Sequence, residues 1–349
     1  MAFLDFAGEL AAVAGAICFG LGNVLIKYQG NKIKPTAINA IRITFSALIY
    51  FIIISATGLL KQTFSLGWKT STLLISGSIL GIVFGDISFF FSQQLIGLSR
   101  AYPIAVSYPF FIYIFGMIIN VEEFNWFRIL GMFLVITGIY LVSTSTRKKK
   151  NKLRTLTEKK EQIEESTPIQ LKNHDEENQT NSQPKKTQDL QEDKKKEISL
   201  TEKKRFVLGL ITAFVTTICW TAGTLLLDIS LTTEINGLSA NAIRMIGLAP
   251  LSIGIFFIAD RGNNKSDFSW KSFWVIFAAG LIGNTVGGLL YIFALTYSTP
   301  STTAAITAAS PLVASPLSII FLKEKFTWKL VIGTILTICG IWLIIIFPL

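Results

Sequence analysis

Histidine occurs once in this chain, at His174, and cysteine three times, at Cys18, Cys219 and Cys339. The histidine lies in a highly charged central stretch, so imidazole chemistry is missing from the apolar remainder. The cysteines lie singly inside apolar runs, with no disulfide framework or metal spacing. No phosphate loop, dinucleotide fingerprint, zinc spacing or nucleophile elbow is written in the sequence. These gaps argue against an enzyme, a bound cofactor, a metal centre or direct drive by ATP. Charge is scarce as well, at 15% of residues against 51% hydrophobic, which identifies a membrane protein. The net charge of +10 flanks the apolar runs, a pattern suited to anionic lipid headgroups and not to nucleic acid.

The apolar runs approach the roughly 20 residues that a helix needs to cross a bilayer. They cover 7–28, 37–59, 71–96, 101–120 and 127–145, then 206–228, 238–259, 272–296, 301–322 and 327–348. Runs of this length and continuity are too long for barrel strands, and helix satisfies its own backbone within lipid. The expectation is an all-α integral membrane protein of ten transmembrane helices.

The chain is also written twice. Residues 39–142 overlay residues 241–344 at one constant offset without a gap. Asn39-Ala40-Ile41-Arg42 meets Asn241-Ala242-Ile243-Arg244, and Trp68-Lys69 meets Trp270-Lys271. Gly81, Gly85, Pro109, Glu122, Phe124, Trp126, Gly131 and Gly138 all recur, and upstream Gly22 meets Gly223. Five crossings per copy is an odd number, so the second copy enters the bilayer from the opposite face. Two inverted five-helix repeats, 1–145 and 206–349, form an architecture used by secondary transporters, whose sites lie between the halves.

Basic residues predict the orientation. Loops on the side of the central segment hold Lys32, Lys34, Arg100, Arg261, Lys265, Lys271, Lys323, Lys325 and Lys329, whereas the opposite loops hold Lys61, Lys69 and Arg128. By the positive-inside rule the central segment faces the cytoplasm and both termini face outward. That segment, 146–205, is dense in both signs of charge and poor in large apolar side chains, which predicts a disordered linker. The first residues, Met1 to Phe6, carry no basic n-region, so the first helix reads as a retained span of a multi-pass cell-membrane protein.

The closing pattern of each copy carries a resemblance. Ala309-Ser310-Pro311, then Phe321-Leu322-Lys323-Glu324-Lys325-Phe326, then Gly333 and Gly340, with Tyr108-Pro109, Glu122-Glu123-Phe124, Gly131 and Gly138 in the first copy, resembles the EamA domain of the drug/metabolite transporter superfamily. The resemblance covers both apolar halves and excludes the linker. It implies a ten-helix exporter or exchanger of a small metabolite, such as an amino acid, a nucleotide sugar, a triose phosphate or a drug. Phe19-Gly20 departs from the Trp-Gly common in that family. The resemblance also implies cytoplasmic termini; the charges oppose this, and the orientation above follows the charges.

Asp86 is the one acidic residue near the middle of an expected helix, and its repeat partner is Gly288. A carboxyl there is costly in lipid and faces a cavity or a partner. It is either a proton or cationic-substrate site or a structural hydrogen-bonding group. Gln93 lies seven residues on, along the same face, and Asn284 and Tyr291 share a face in the second copy. Asn23, Tyr108, Tyr113 and Trp220 complete the candidate substrate-binding set, each aromatic weighed against simple packing. Gly77, Gly81 and Gly85 read as a helix-contact stripe. Lys27 and Arg42 near the cytoplasmic face, and Asp228 and Arg244 near the outer face, read as charges snorkelling to headgroups, with an Asp228–Arg244 pair as a structural alternative and attraction of an anionic substrate by the Lys27–Arg42 pair as a functional one. Glu122 and Glu324 read as caps of the closing helices, and the prolines of the fourth and ninth helices mark those likeliest to bend.

The functional expectation is a secondary transporter of a small organic solute by alternating access, with a proton as candidate coupling ion and membrane lipid as partner. A divalent-cation carrier and a scaffold acting through its linker are the alternatives. An epitope tag on either terminus should be labelled in intact cells; labelling that requires permeabilisation would contradict the predicted orientation.

Overall fold

The structure is a computed structural model describing residues 6–29, 33–119, 122–145, 185–231, 235–259, 269–313, 317 and 327–347. All regular structure among the described residues is helical. The first copy contains α1 (Ala7–Gln29), α2 (Pro35–Ala56), α3 (Leu60–Phe64), α4 (Trp68–Ser78), α5 (Asp86–Ile96), α6 (Leu98–Ala105), α7 (Tyr108–Ile118) and α8 (Trp126–Ser145). The second contains α9 (Lys185–Ser230), α10 (Gly237–Ala259), α11 (Trp270–Ala279), α12 (Gly288–Tyr297), α13 (Pro300–Ala308) and α14 (Trp328–Ile346). Six helical segments are long and apolar enough to cross a membrane, over 7–26, 35–56, 68–96, 203–230, 237–259 and 270–297. Shorter apolar helices cover 108–118, 126–141 and 331–346.

Two departures from regular helix recur at equivalent places. Between α4 and α5 the backbone widens into a π-helical stretch, Ile79–Gly85, and between α11 and α12 into another, Gly280–Gly287. Glycines tolerate this widening because they bring no side chain into the enlarged turn. The fourth and ninth expected spans are each broken. A turn at Val106 and Ser107 separates α6 from α7, and a turn at Ala309 and Ser310 follows α13. Pro109 and Pro311, which lack a backbone donor, stand immediately after the breaks and cannot bond back across them.

The expected disordered linker begins outside the described residues, over 146–184. Its last part differs from expectation: 185–205 is helical and runs without interruption into α9, a helix of 46 residues. Lys, Glu and Gln are strong helix formers, and no Gly or Pro interrupts this stretch.

Glycine governs how the copies meet. A Cβ on Gly131 of α8 would lie 2.8 Å from the Gly340 carbonyl of α14, and one on Gly340 would lie 2.6 Å from the Gly131 carbonyl. Gly138 faces Gly333 in the same way. These pairs exchange under the repeat and run in opposite directions, so the equivalent helices α8 and α14 cross antiparallel. Gly223 of α9 likewise abuts the Gly77 carbonyl of α4, where a Cβ would sit at 2.6 Å, and Gly22 of α1 approaches the Ala279 carbonyl of α11 at 3.2 Å. Each copy's opening helix therefore packs on the other copy's third segment. Trp68, Trp126, Trp270 and Trp328, each 70–82% exposed, stand at the first residues of α4, α8, α11 and α14.

Gly131→Val places branched carbon against backbone that cannot move aside, which costs about 1–3 kcal/mol. The unfolding midpoint of the purified protein should fall; an unchanged midpoint would contradict the glycine crossing.

Candidate functional site

A cavity of about 190 Å³ lies between the copies. At about 10–15 Å³ for each water this is room for roughly a dozen waters, or for a small organic molecule. Its walls come from α1, α2, α4, α5, α6, α7, α9, α10, α12, α13 and the two π-helical stretches.

Its most polar wall is a charge cluster built by both copies. Asp86 is the first residue after the π-helical stretch, and its backbone N–H donates to the Gly81 and Val83 carbonyls. One carboxylate oxygen, Oδ2, lies 3.5 Å from Arg42 Nη1, and Oδ1 accepts from the indole N–H of Trp220 at 3.2 Å. Arg42 Nη2 donates to the Asn284 side-chain carbonyl. The Phe90 ring lies 5.7 Å from the guanidinium carbon, within cation–π range. Gly85 is required here because a Cβ would come within 2.6 Å of the Trp220 indole. A buried carboxylate and guanidinium thus neutralise each other while two side chains from the second copy orient them. Arg42 Nε and Asn284 Nδ2 remain without a hydrogen-bond partner.

Arg244, the repeat equivalent of Arg42, lines the same cavity and is 3% exposed. Its Nε donates to Ser78 Oγ at 2.6 Å and its Nη1 to Asn241 Oδ1 at 2.8 Å. The expected Asp228–Arg244 ion pair does not form; Arg244 bonds Ser78 and Asn241 instead. Tyr291 shares a hydrogen bond of 2.8 Å with Thr224 and meets the Phe19 ring edge-on at 6.2 Å. The Tyr108 hydroxyl donates to the Ala304 carbonyl at 3.2 Å, and its ring packs edge-on against Trp220.

Six of the eight residues singled out from sequence meet at this cavity: Asn23, Asp86, Tyr108, Trp220, Asn284 and Tyr291. Gln93 is not on its wall, because seven residues of regular helix carry it about 10 Å along α5 from Asp86. Tyr113 is fully buried away from the cavity, where its hydroxyl donates to the Glu123 carbonyl at 2.9 Å and accepts from the Asn125 N–H at 2.6 Å. The two arginines, read as snorkelling, point inward instead. The sequence signal for them was the repeated Asn-Ala-Ile-Arg, whose asparagines also turn inward: Asn39 donates to the Ile82 carbonyl at 2.6 Å.

Glu122 also differs from its expected role. It caps no helix of its own copy; it caps α13 of the other, accepting from Ser301 N–H at 2.8 Å and from Ser301 Oγ at 2.5 Å. Arg128 binds the same carboxylate at 3.1 Å and extends to Thr299 at 3.0 Å and Thr302 at 2.6 Å. This buried clamp ties the end of the first copy to the broken helix of the second. Glu324, its repeat partner, lies outside the described residues.

A duplicated apolar chain, helical over its described residues, with charged side chains lining a cavity between its copies, fits a multi-pass membrane transporter. The EamA-like transporter family matches residues 6–144 and 207–346, and the chain belongs to that family. It is 22% identical to an uncharacterised transporter of Archaeoglobus fulgidus over 40% of this chain and 49% of that one. It is 28% identical to the uncharacterised transporter YvbV of Bacillus subtilis over 41% of this chain and 47% of the other. The matches thus span about half the length of these two relatives. A probable 4-amino-4-deoxy-L-arabinose-phosphoundecaprenol flippase subunit, ArnF of Proteus mirabilis, is 27% identical over 25% of this chain and 69% of its own. A crystal structure shares the fold over 96% of this chain and 95% of its own, with a TM-score of 0.68 at 12% identity.

Arg128→Ala leaves Glu122 buried and unpaired, a change worth roughly 3–5 kcal/mol. A drop in the thermal midpoint larger than that of Gly131→Val is expected; a neutral result would show that the clamp is not formed.

Proposed function

We propose that this protein is a secondary transporter that carries a small organic solute through the cavity between its copies by alternating access. The observation that carries this reading is the Arg42–Asp86–Trp220–Asn284 cluster, which joins the two copies at the cavity wall. Moving one copy against the other changes the surroundings of that cluster, and a solute that competes for Arg42, Asp86 or Asn284 couples binding to movement. The antiparallel crossing of α8 and α14 supports ten spans in two inverted units, 1–145 and 206–349, joined by the segment 146–205. The basic loops support a cytoplasmic side for that segment in the cell membrane.

Export or exchange is the direction the family favours. Protonation of Asp86 would remove the negative partner of Arg42 and is the coupling step we assign to it. The cation-carrier alternative finds no group of three His, Cys, Asp or Glu among the described residues.

Uptake of candidate solutes into liposomes containing the purified protein tests this reading. Asp86→Asn leaves Arg42 without its counter-charge and should lower the thermal midpoint; in the fraction that reconstitutes folded, flux should fall at least tenfold or lose its dependence on a pH gradient. Wild-type flux at every pH would remove Asp86 from the mechanism.

A further inference from the structure

The copies treat their equivalent arginines differently. Both arginines meet the equivalent position of the other copy: the backbone and side-chain stem of Arg42 pack on Gly280, with a Cβ there 3.0 Å from the Arg42 Cα, and the Arg244 guanidinium binds Ser78, the residue equivalent to Gly280. Arg42 has the Asp86 carboxylate beside it. At the equivalent position the second copy has Gly288, and Arg244 has no carboxylate among the described residues. Its hydrogen bonds run only through Nε and Nη1, to a hydroxyl and an amide, neither of which carries charge. The place an acidic side chain would occupy is open: Gly288 lines the cavity, and a Cβ built on it meets nothing nearer than Asn241 Oδ1 at 3.7 Å. An arginine 3% exposed in an apolar bundle without a counter-charge is expensive. With Arg42, Asp86 and Arg244 on its walls, the cavity carries one more positive charge than negative.

Resting on the transporter reading above, we propose that Arg244 anchors an anionic group of the transported solute, a carboxylate or a phosphate, in the place that Asp86 fills for Arg42. The solute supplies the counter-ion that the second copy lacks. A guanidinium suits this role because its planar fork matches both oxyanions. Tyr291 and Phe19 on the same cavity bound the space for the remainder of the solute.

Thermal unfolding of the purified full chain tests the site, because a ligand that binds only the folded state raises the midpoint. The probes are succinate as a carboxylate, glycerol 3-phosphate as a phosphate, and succinamide and glycerol as their counterparts without an ionised group. An anionic probe should raise the midpoint where its neutral counterpart does not, and the class that succeeds assigns carboxylate or phosphate. Gly288→Asp, which gives Arg244 an internal carboxylate, should weaken that probe at least tenfold. Arg244→Lys should keep the preference for anions at reduced affinity, and it serves if Gly288→Asp fails to fold. Equal shifts from neutral and anionic probes, no shift from any anionic probe, or undiminished binding in Gly288→Asp would overturn the proposal. Liposome flux separates the two readings. An anionic probe that binds through Arg244 but is never carried upholds the anion site and removes transport, whereas a neutral solute carried equally by wild type and Arg244→Lys upholds transport and removes the site.

Discussion

Two guanidiniums and a carboxylate are held inside a bundle whose outer surface is hydrocarbon, and the architecture is organised around keeping those charges satisfied. Arg42 and Asp86 come from one copy, yet the groups that complete their bonding, Trp220 and Asn284, come from the other. Arg244 reverses the direction of dependence, since it takes one bond from Asn241 of its own copy and one from Ser78 of the first. Neither copy alone can bury its arginine. Exchange of polar partners ties the copies to each other, and the cavity lies where the exchange occurs.

Backbone proximity makes the exchange possible. Close crossings at Gly22, Gly77, Gly223 and the Gly131–Gly340 pair bring the helices near enough for short side chains such as Ser78 to span between them. The breaks at Val106 and Ala309 leave carbonyls that the opposing copy satisfies. Thr217 donates to the Ile104 carbonyl at 2.8 Å, and the Tyr102 hydroxyl donates to the Ala308 carbonyl at 3.5 Å beside its 2.8 Å contact with Ser310 Oγ. In an apolar bundle such freed groups need internal partners. The hydroxyl-rich face of α9 supplies them on the first copy's side, where the buried Thr217 and Thr221 donate to the Ile104 and Tyr108 carbonyls.

Much of this was legible before any coordinates. Repeat identities and apolar runs foretold a duplicated helical membrane protein, and Asp86, with its broken symmetry at Gly288, led to the cavity. Helical spacing succeeded for Asn284 and Tyr291 but misled for Gln93, because periodicity fixes a face without fixing depth along the axis. Tyr113 was misplaced since a tyrosine in an apolar helix reads alike whether its hydroxyl enters a cavity or props a turn. The inward arginines were hidden by their closeness to helix ends, where snorkelling is the ordinary explanation. The π-helical stretches have no pattern in single residues beyond their glycines. The partner of Glu122 was unreadable because a cap contributed by another repeat is a long-range contact.

The four exposed tryptophans carry a separate lesson. Trp68 and Trp126 open helices of the first copy, and Trp270 and Trp328 open the equivalent helices of the second. Aromatic residues of this kind settle at the boundary between hydrocarbon and headgroup. Because duplication has placed a matched pair in each inverted unit, the anchors on the two faces are chemically the same. They hold the molecule at the correct depth yet carry no information about which face is which. That distinction is left to residues the repeat does not copy, such as Lys32 and Lys34 after α1, which have no counterpart after α9. Depth is thus copied with the repeat, while the positive-inside rule leaves direction to residues that are not.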